Sequence, residues 1–182
     1  LGHAATYLTF DLINRYLRAS GSEVRLVQNI TDIDDPLLER ANRDGIDWAD
    51  LAHQQIDLFR SDMVNLRVIP PAHYIGAVEA IPLVSSAIEL LQKNKSIYEV
   101  DSDLYFSIRA DKHFGERSHI SMEQMLTIFA ERGGDPQRTG KTDPLDCLVW
   151  MSQRPNEPGW PSPFGVGRLG WHIEGTAIAL KY

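Results

Sequence analysis

The sequence has a single cysteine, Cys147, among its 182 residues. One thiol excludes an internal disulfide and suits a reducing compartment, so a cytoplasmic location is expected. No apolar run approaches the roughly 20 residues of a membrane-spanning helix, and LGHAATY at the start has no basic region of the kind that opens a secretory signal. No membrane partner is therefore expected. Positive charge is also scarce: 18 Lys and Arg against 25 Asp and Glu leave a formal charge of −7. That balance argues mildly against a broad nucleic-acid footprint, which needs a basic face. There is no internal repeat and no low-complexity tract. The chain starts on Leu rather than Met, and it is expected to be a piece of a longer protein.

Three common ligand motifs are missing as well. Gly140-Lys141-Thr142 ends like a phosphate-binding P-loop, but Asp135 stands where the motif needs its first glycine. Gly165 to Gly170 formally matches G-x-G-x-x-G, yet it follows a proline-rich loop and no ribose-binding acid comes after it. An EF-hand counted from Asp32 has no glycine at its sixth position and reaches Arg43 at its twelfth. These matches are read as chance.

What is present is a composition of 43% hydrophobic and 24% charged residues, which suits a soluble protein with one sizeable core. The organising stretch is Val24 to Arg40, VRLVQNITDIDDPLLER. It opens as a strand from Val24 and closes as a helix start, with Asp35 as the capping carboxylate before Pro36. Between them, Asn29 to Asp35 packs hydrogen-bonding groups at the carboxyl end of a strand, the edge where open α/β sheets bind ligands. The plain alternative is a polar loop whose aspartates cap backbone amides.

Around that stretch the pattern is helix–strand–helix. Tyr7, Phe10, Ile13 and Leu17 recur at helical steps, and Ser20-Gly21 ends the run. A long amphipathic helix starts at Asp47 and stops before Pro70-Pro71; another buries Ile81, Val84, Ile88 and Leu91. After Lys95, Ile97–Val100 and Leu104–Ile108 read as a hairpin across Asp101-Ser102-Asp103. Ser121-Met122-Glu123-Gln124 is a capping box, and its helix closes at Gly133-Gly134. Leu145–Met151 reads as a strand, Pro155–Gly170 as a loop, and Trp171 onward as a last helix.

Three stretches in order resemble one family. Leu1-Gly2-His3-Ala4 is similar to the end of the HIGH signature of class I aminoacyl-tRNA synthetases. Asn29-Ile30-Thr31-Asp32-Ile33-Asp34-Asp35 resembles the block that follows it in cysteinyl-tRNA synthetases, and Trp171-His172-Ile173-Glu174-Gly175 resembles their W-H-I-E-C segment. Glu131-Arg132-Gly133-Gly134-Asp135-Pro136, together with LGHAATY, is closer to the cysteinyl-tRNA synthetase-like cysteine ligases of mycothiol biosynthesis. Asp143-Pro144-Leu145-Asp146 followed by Trp150 fits both groups.

The resemblance implies an α/β, Rossmann-like nucleotide-binding core of the class I synthetase type with an inserted connective segment. The core would occupy residues 1–92, the insertion 93–144, and a return to the core 145–182. It implies an ATP-dependent ligase, using magnesium, that forms cysteinyl adenylate and passes cysteine to the amine of glucosaminyl-inositol. The substrates would be ATP, cysteine and glucosaminyl-inositol, with tRNA a less favoured partner. His3 would be catalytic at a helix N-terminus. Gly2, His3, Thr6, Asn29, Ile30 and Thr31 would line the adenylate site, with Trp171 a wall near the cysteinyl part. The family also holds zinc, but its cysteine ligand position is Gly175, so no family-type zinc is expected in this chain. The resemblance covers only the front portion of such an enzyme, without the KMSKS loop, so the chain alone is expected to be inactive. A cysteinyl-tRNA synthetase portion, or a non-catalytic binding relative, remains the alternative.

Overall fold

The computed structural model describes the backbone of residues 2–182 and the side chains of residues 4–182. The chain divides into two compact units, 1–79 with Tyr182, and 80–181.

The first unit opens with helix α1 (Gly2–Ala19), strand β1 (Val27–Ile30) and helix α2 (Asp35–Asp44). Helix α3 (Trp48–Asn65), strand β2 (His73–Gly76) and the first residues of helix α4 (Ala77–Lys93) follow. β1 and β2 are parallel, in register from Val27 opposite His73 to Ile30 opposite Gly76. The sequence pattern starts β1 at Val24, but the ladder begins later, where Leu26 C=O accepts the Ala72 amide at 2.8 Å. β2 carries no alternating pattern in its four residues and becomes a strand because β1 supplies the hydrogen bonds.

Helix ends follow side-chain chemistry. Asp47 caps α3, accepting the amides of Ala49 and Asp50 at 2.9 and 3.1 Å. α2 is capped by Asp34, which accepts Leu37 N–H at 2.8 Å, so the capping carboxylate is Asp34 rather than Asp35. Asp35 is already helical, and Pro36 sits in the first turn, where its missing N–H costs nothing. α1 departs from the usual apolar-in arrangement. Phe10, Leu12, Ile13 and Tyr16 are largely exposed, whereas Asp11 and Asn14 are buried. Asp11 is held by the Arg15 Nε at 2.7 Å and by the Ile69 amide at 2.8 Å.

The second unit is built on an antiparallel sheet of four strands in chain order. These are β3 (Ile97–Val100), β4 (Asp103–Phe106), β5 (Cys147–Ser152) and β6 (Gly167–Leu169). The β3–β4 turn is two residues, Asp101 and Ser102, both at positive φ to match the right-handed twist of a tight hairpin. It is not the expected 101–103, because Asp103 already pairs with Val100, and β4 ends at Phe106, short of the expected Ile108. Helix α5 (Met122–Glu131) carries the expected capping box, with Ser121 and Gln124 exchanging hydrogen bonds. Helix α6 (Trp171–Lys181) packs on β5. β6 lies inside the stretch read as a loop. A Cβ at Gly167 would meet Met151 C=O at 2.1 Å, so only glycine lets this strand approach β5 so closely.

Two buried carboxylates hold this unit together. Asp146, fully buried, accepts the Tyr98 hydroxyl at 2.6 Å and the amides of Ile108 and Asp143 at 2.8 and 2.9 Å. Asp103 accepts the Ser152 amide at 2.9 Å and pairs with Arg154 at 2.6 Å and Arg138 at 3.0 Å. A buried charge is tolerable only with this degree of satisfaction.

Candidate active site

Asn29, Ile30 and Thr31 occupy the carboxyl end of β1 and the turn beyond it. β1 and β2 run parallel, so this is the edge at which an α/β sheet presents backbone groups and helix N-termini to a ligand. Beside it is a pocket of about 250 Å³. Thr6, Tyr7 and Phe10 of α1 line it, together with residues 26–29 and the pair Val68 and Ile69. Its volume falls below the roughly 300–1,000 Å³ of sites that enclose a whole ligand. Tyr7 is steadied from behind, its ring edge-on to Phe59 at 4.8 Å.

The structure thus brings two of the sequence candidates, Thr6 and Asn29, onto one cavity, with Ile30 and Thr31 directly following. The candidates Gly2 and His3 lie outside the residues whose side chains are described. Ile69, which also lines the pocket, carries no motif in the sequence, and neither does Asp11, which holds the Ile69 amide. No local signal marks them, since 58 residues separate the two.

The turn after β1 explains the density of aspartate. Asp34 caps α2, and Ile33 between the two acids is buried. Asp32 Oδ1 accepts the Val78 amide in the first turn of α4 at 3.0 Å. A Cβ on Gly76, immediately before that helix, would lie 2.6 Å from Asp32 Oδ2, so a side chain there would have to displace the carboxylate.

In the second unit Trp171 opens α6, more than half exposed, with its ring stacked on His172 at 5.8 Å. The segment from Glu131 to Pro136 is the end of α5 and the turn after it. Gly133 takes positive φ there, and a Cβ on Gly134 would meet the Phe129 ring at 2.6 Å, so both glycines are required by shape. Arg132 is the helix C-cap residue. Asp135 accepts the Tyr105 hydroxyl and the Lys141 ammonium, the latter at 2.9 Å. Lys141, the residue of the false P-loop, is nearly buried and also lies 4.9 Å from the Phe129 ring centre. Burial, with the Asp135 carboxylate beside it, pushes the Tyr105 phenol well above its ordinary range and keeps it a donor.

The described residues do not fit zinc. Gly175 offers no side chain, and among the described residues no three His, Cys, Asp or Glu side chains converge to hold a metal. Cys147 donates its S–H to Leu145 C=O at 3.4 Å, and burial raises its pKa, so it is a neutral thiol rather than a thiolate ligand.

All 182 residues match the family model of the class I (C) tRNA synthetase catalytic domain. The chain belongs to that family. It is also 60% identical, over its whole length, to the L-cysteine:1D-myo-inositol 2-amino-2-deoxy-alpha-D-glucopyranoside ligase of Thermomonospora curvata, of which it covers 44%. The identically named ligase of Kribbella flavida is 60% identical, with 45% covered, and that of Corynebacterium diphtheriae 59% identical, with 45% covered. The chain therefore spans less than half the length of these relatives. Class I synthetase membership accounts for the mixed α/β content. Among the described residues no helix is long and apolar enough to cross a membrane.

Proposed function

We propose that this chain is the nucleotide-site portion of an AMP-forming ligase that joins cysteine to the amine of glucosaminyl-inositol. The observation that carries the reading is the 60% identity over all 182 residues to ligases of that name, in a chain whose Thr6 and Asn29 line one pocket. In the reaction a cysteine carboxylate oxygen bonds to the α-phosphorus of ATP and pyrophosphate leaves. The sugar amine then attacks the carbonyl carbon of the mixed anhydride, loses a proton, and AMP departs as the amide forms.

The residues suit the first step. Charge that develops on the phosphoryl oxygens calls for fixed donors, and His3 near the start of α1 is the proposed one. Thr6 and Asn29 to Thr31 hold the adenylate, with Trp171 assigned to the cysteinyl side. Magnesium would ride on the triphosphate, since the described residues supply no cluster of their own. The Glu131–Pro136 turn acts by shape, with Asp135 committed to Tyr105 and Lys141.

The test uses the full-length protein with ATP, labelled cysteine and either acceptor. Transfer to glucosaminyl-inositol is expected. Transfer to tRNA with none to the sugar would replace this reading by a cysteinyl-tRNA synthetase.

A further inference from the structure

We propose that Asp32 is the positioning residue of the nucleotide site: its carboxylate caps α4 from outside that helix, seats the Asn29–Thr31 strand end against β2, and closes the α4 N-terminus to substrate anions. The inference rests on reading Asn29–Thr31 as the adenylate edge.

A helix leaves its first backbone N–H groups without partners, and the residue before it normally covers one with its own side chain. α4 cannot do this, because the residue before it is Gly76. Val78 is the second residue of the helix, the usual target of a capping oxygen, and Asp32 Oδ1 takes that place from 46 residues away. The fit is mutual, since Asp32 Oδ2 occupies the space a side chain on residue 76 would need. Asp32 thus supplies the cap that Gly76 lacks, and Gly76 supplies the room that Asp32 needs.

The consequence for the site follows from register. Ile30 and Gly76 form the last rung of the β1–β2 ladder. Two residues later the Asp32 amide donates to Ile30 C=O at 3.0 Å, turning the chain back towards α4. Both strand ends are therefore tied beyond their last rung, which fixes where the Asn29–Thr31 groups point. Electrostatics adds the second effect. The N-terminus of a 17-residue helix at the carboxyl edge of a parallel pair would attract a phosphate. The Asp32 carboxylate already fills that position with negative charge, so substrate phosphates are directed elsewhere.

The experiment uses the full-length protein with AMP and inorganic phosphate as probes. Asp32→Ala is expected to weaken AMP binding by about tenfold in calorimetry, while Asp32→Asn, which keeps an acceptor oxygen, stays within about threefold of wild type. Gly76→Ala, with Asp32 intact, should reproduce the loss by pushing the carboxylate off Val78, and the double variant should be no worse than Asp32→Ala alone. Gly76 is not at positive φ, so this substitution carries no backbone strain and serves if Asp32→Ala fails to fold. Phosphate should raise the melting temperature of Asp32→Ala but not that of wild type. AMP affinity unchanged in folded Asp32→Ala and Gly76→Ala would overturn the positioning role, and a phosphate response equal to wild type would overturn the closure. Wild type with no affinity for AMP would instead overturn the nucleotide reading, leaving the phosphate comparison to judge Asp32 by itself.

Discussion

Asp11 shows how a single side chain shapes the candidate pocket from outside it. Its burial alone would push the carboxyl pKa up, but the Arg15 guanidinium and the Ile69 amide outweigh that and hold it below the ordinary value. The ionised form is therefore the one the fold prefers. Its stabilising effect is complete above the unfolded pKa of about 3.9 and is lost as pH falls through the lower folded value. Asp11→Asn, which removes the charge but keeps an oxygen for the Ile69 amide, is expected to cost about 1 kcal/mol at pH 7. Denaturant unfolding of both proteins from pH 7 to pH 3 measures this. The gap between them should narrow below about pH 4, and a constant gap would mean that charge on Asp11 contributes nothing. The same carboxylate also places Ile69 on the pocket wall, so stability and site geometry are linked at this residue.

At the scale of elements, the start of α2 separates two aspartates that look alike in sequence. Asp34 has extended backbone and accepts Leu37 N–H, whereas Asp35 is the first helical residue. Asp34→Ala is expected to cost about 1 kcal/mol, the usual value of a lost cap. Asp35→Ala should cost no more than about 0.5 kcal/mol, the scale of a charge near the helix dipole. Thermal unfolding of the two variants distinguishes them, and the opposite order would restore Asp35 as the cap. The local pattern does not separate the two residues, because an Asp-Pro pair fits a helix start in either frame. The difference of one residue matters here. With Asp34 on α2 and Asp32 on α4, alternate acids in one turn serve two helices, and the buried Ile33 between them anchors the turn.

For the molecule as a whole, family membership and the identity of one helix position point in different directions. The family resemblance implies a zinc that selects cysteine, yet the position of its thiolate is Gly175 in α6, where a Cβ would meet nothing within 4 Å. The space for a ligand exists; the ligand does not. A structural or catalytic zinc needs at least three protein donors in closed geometry, and no such group is present among the described residues. The purified 182-residue chain is accordingly expected to carry no stoichiometric zinc and to catalyse no cysteine-dependent ATP–pyrophosphate exchange. Metal analysis and an exchange assay check both. One bound zinc accompanied by exchange would overturn both expectations.

The helix starts at Asp47 and Ser121 and a hairpin following Lys95 are legible in the chain itself, although its second strand is Asp103–Phe106 rather than Leu104–Ile108. Caps, turns and amphipathic faces involve groups within about four residues of one another, so their physics is written locally. The family match drew on the same property, being carried by short contiguous stretches. Other features depended on partners far along the chain. β2 is a strand because β1 lies beside it, and β6 because Gly167 lets it close on Met151. Asp11 is buried where the apolar pattern of α1 points elsewhere, because it finds the Ile69 amide 58 residues away. Asp32 reaches α4 only because parallel pairing brings Gly76 opposite Ile30. A hydrogen bond depends on distance in space, and that distance is set by tertiary structure.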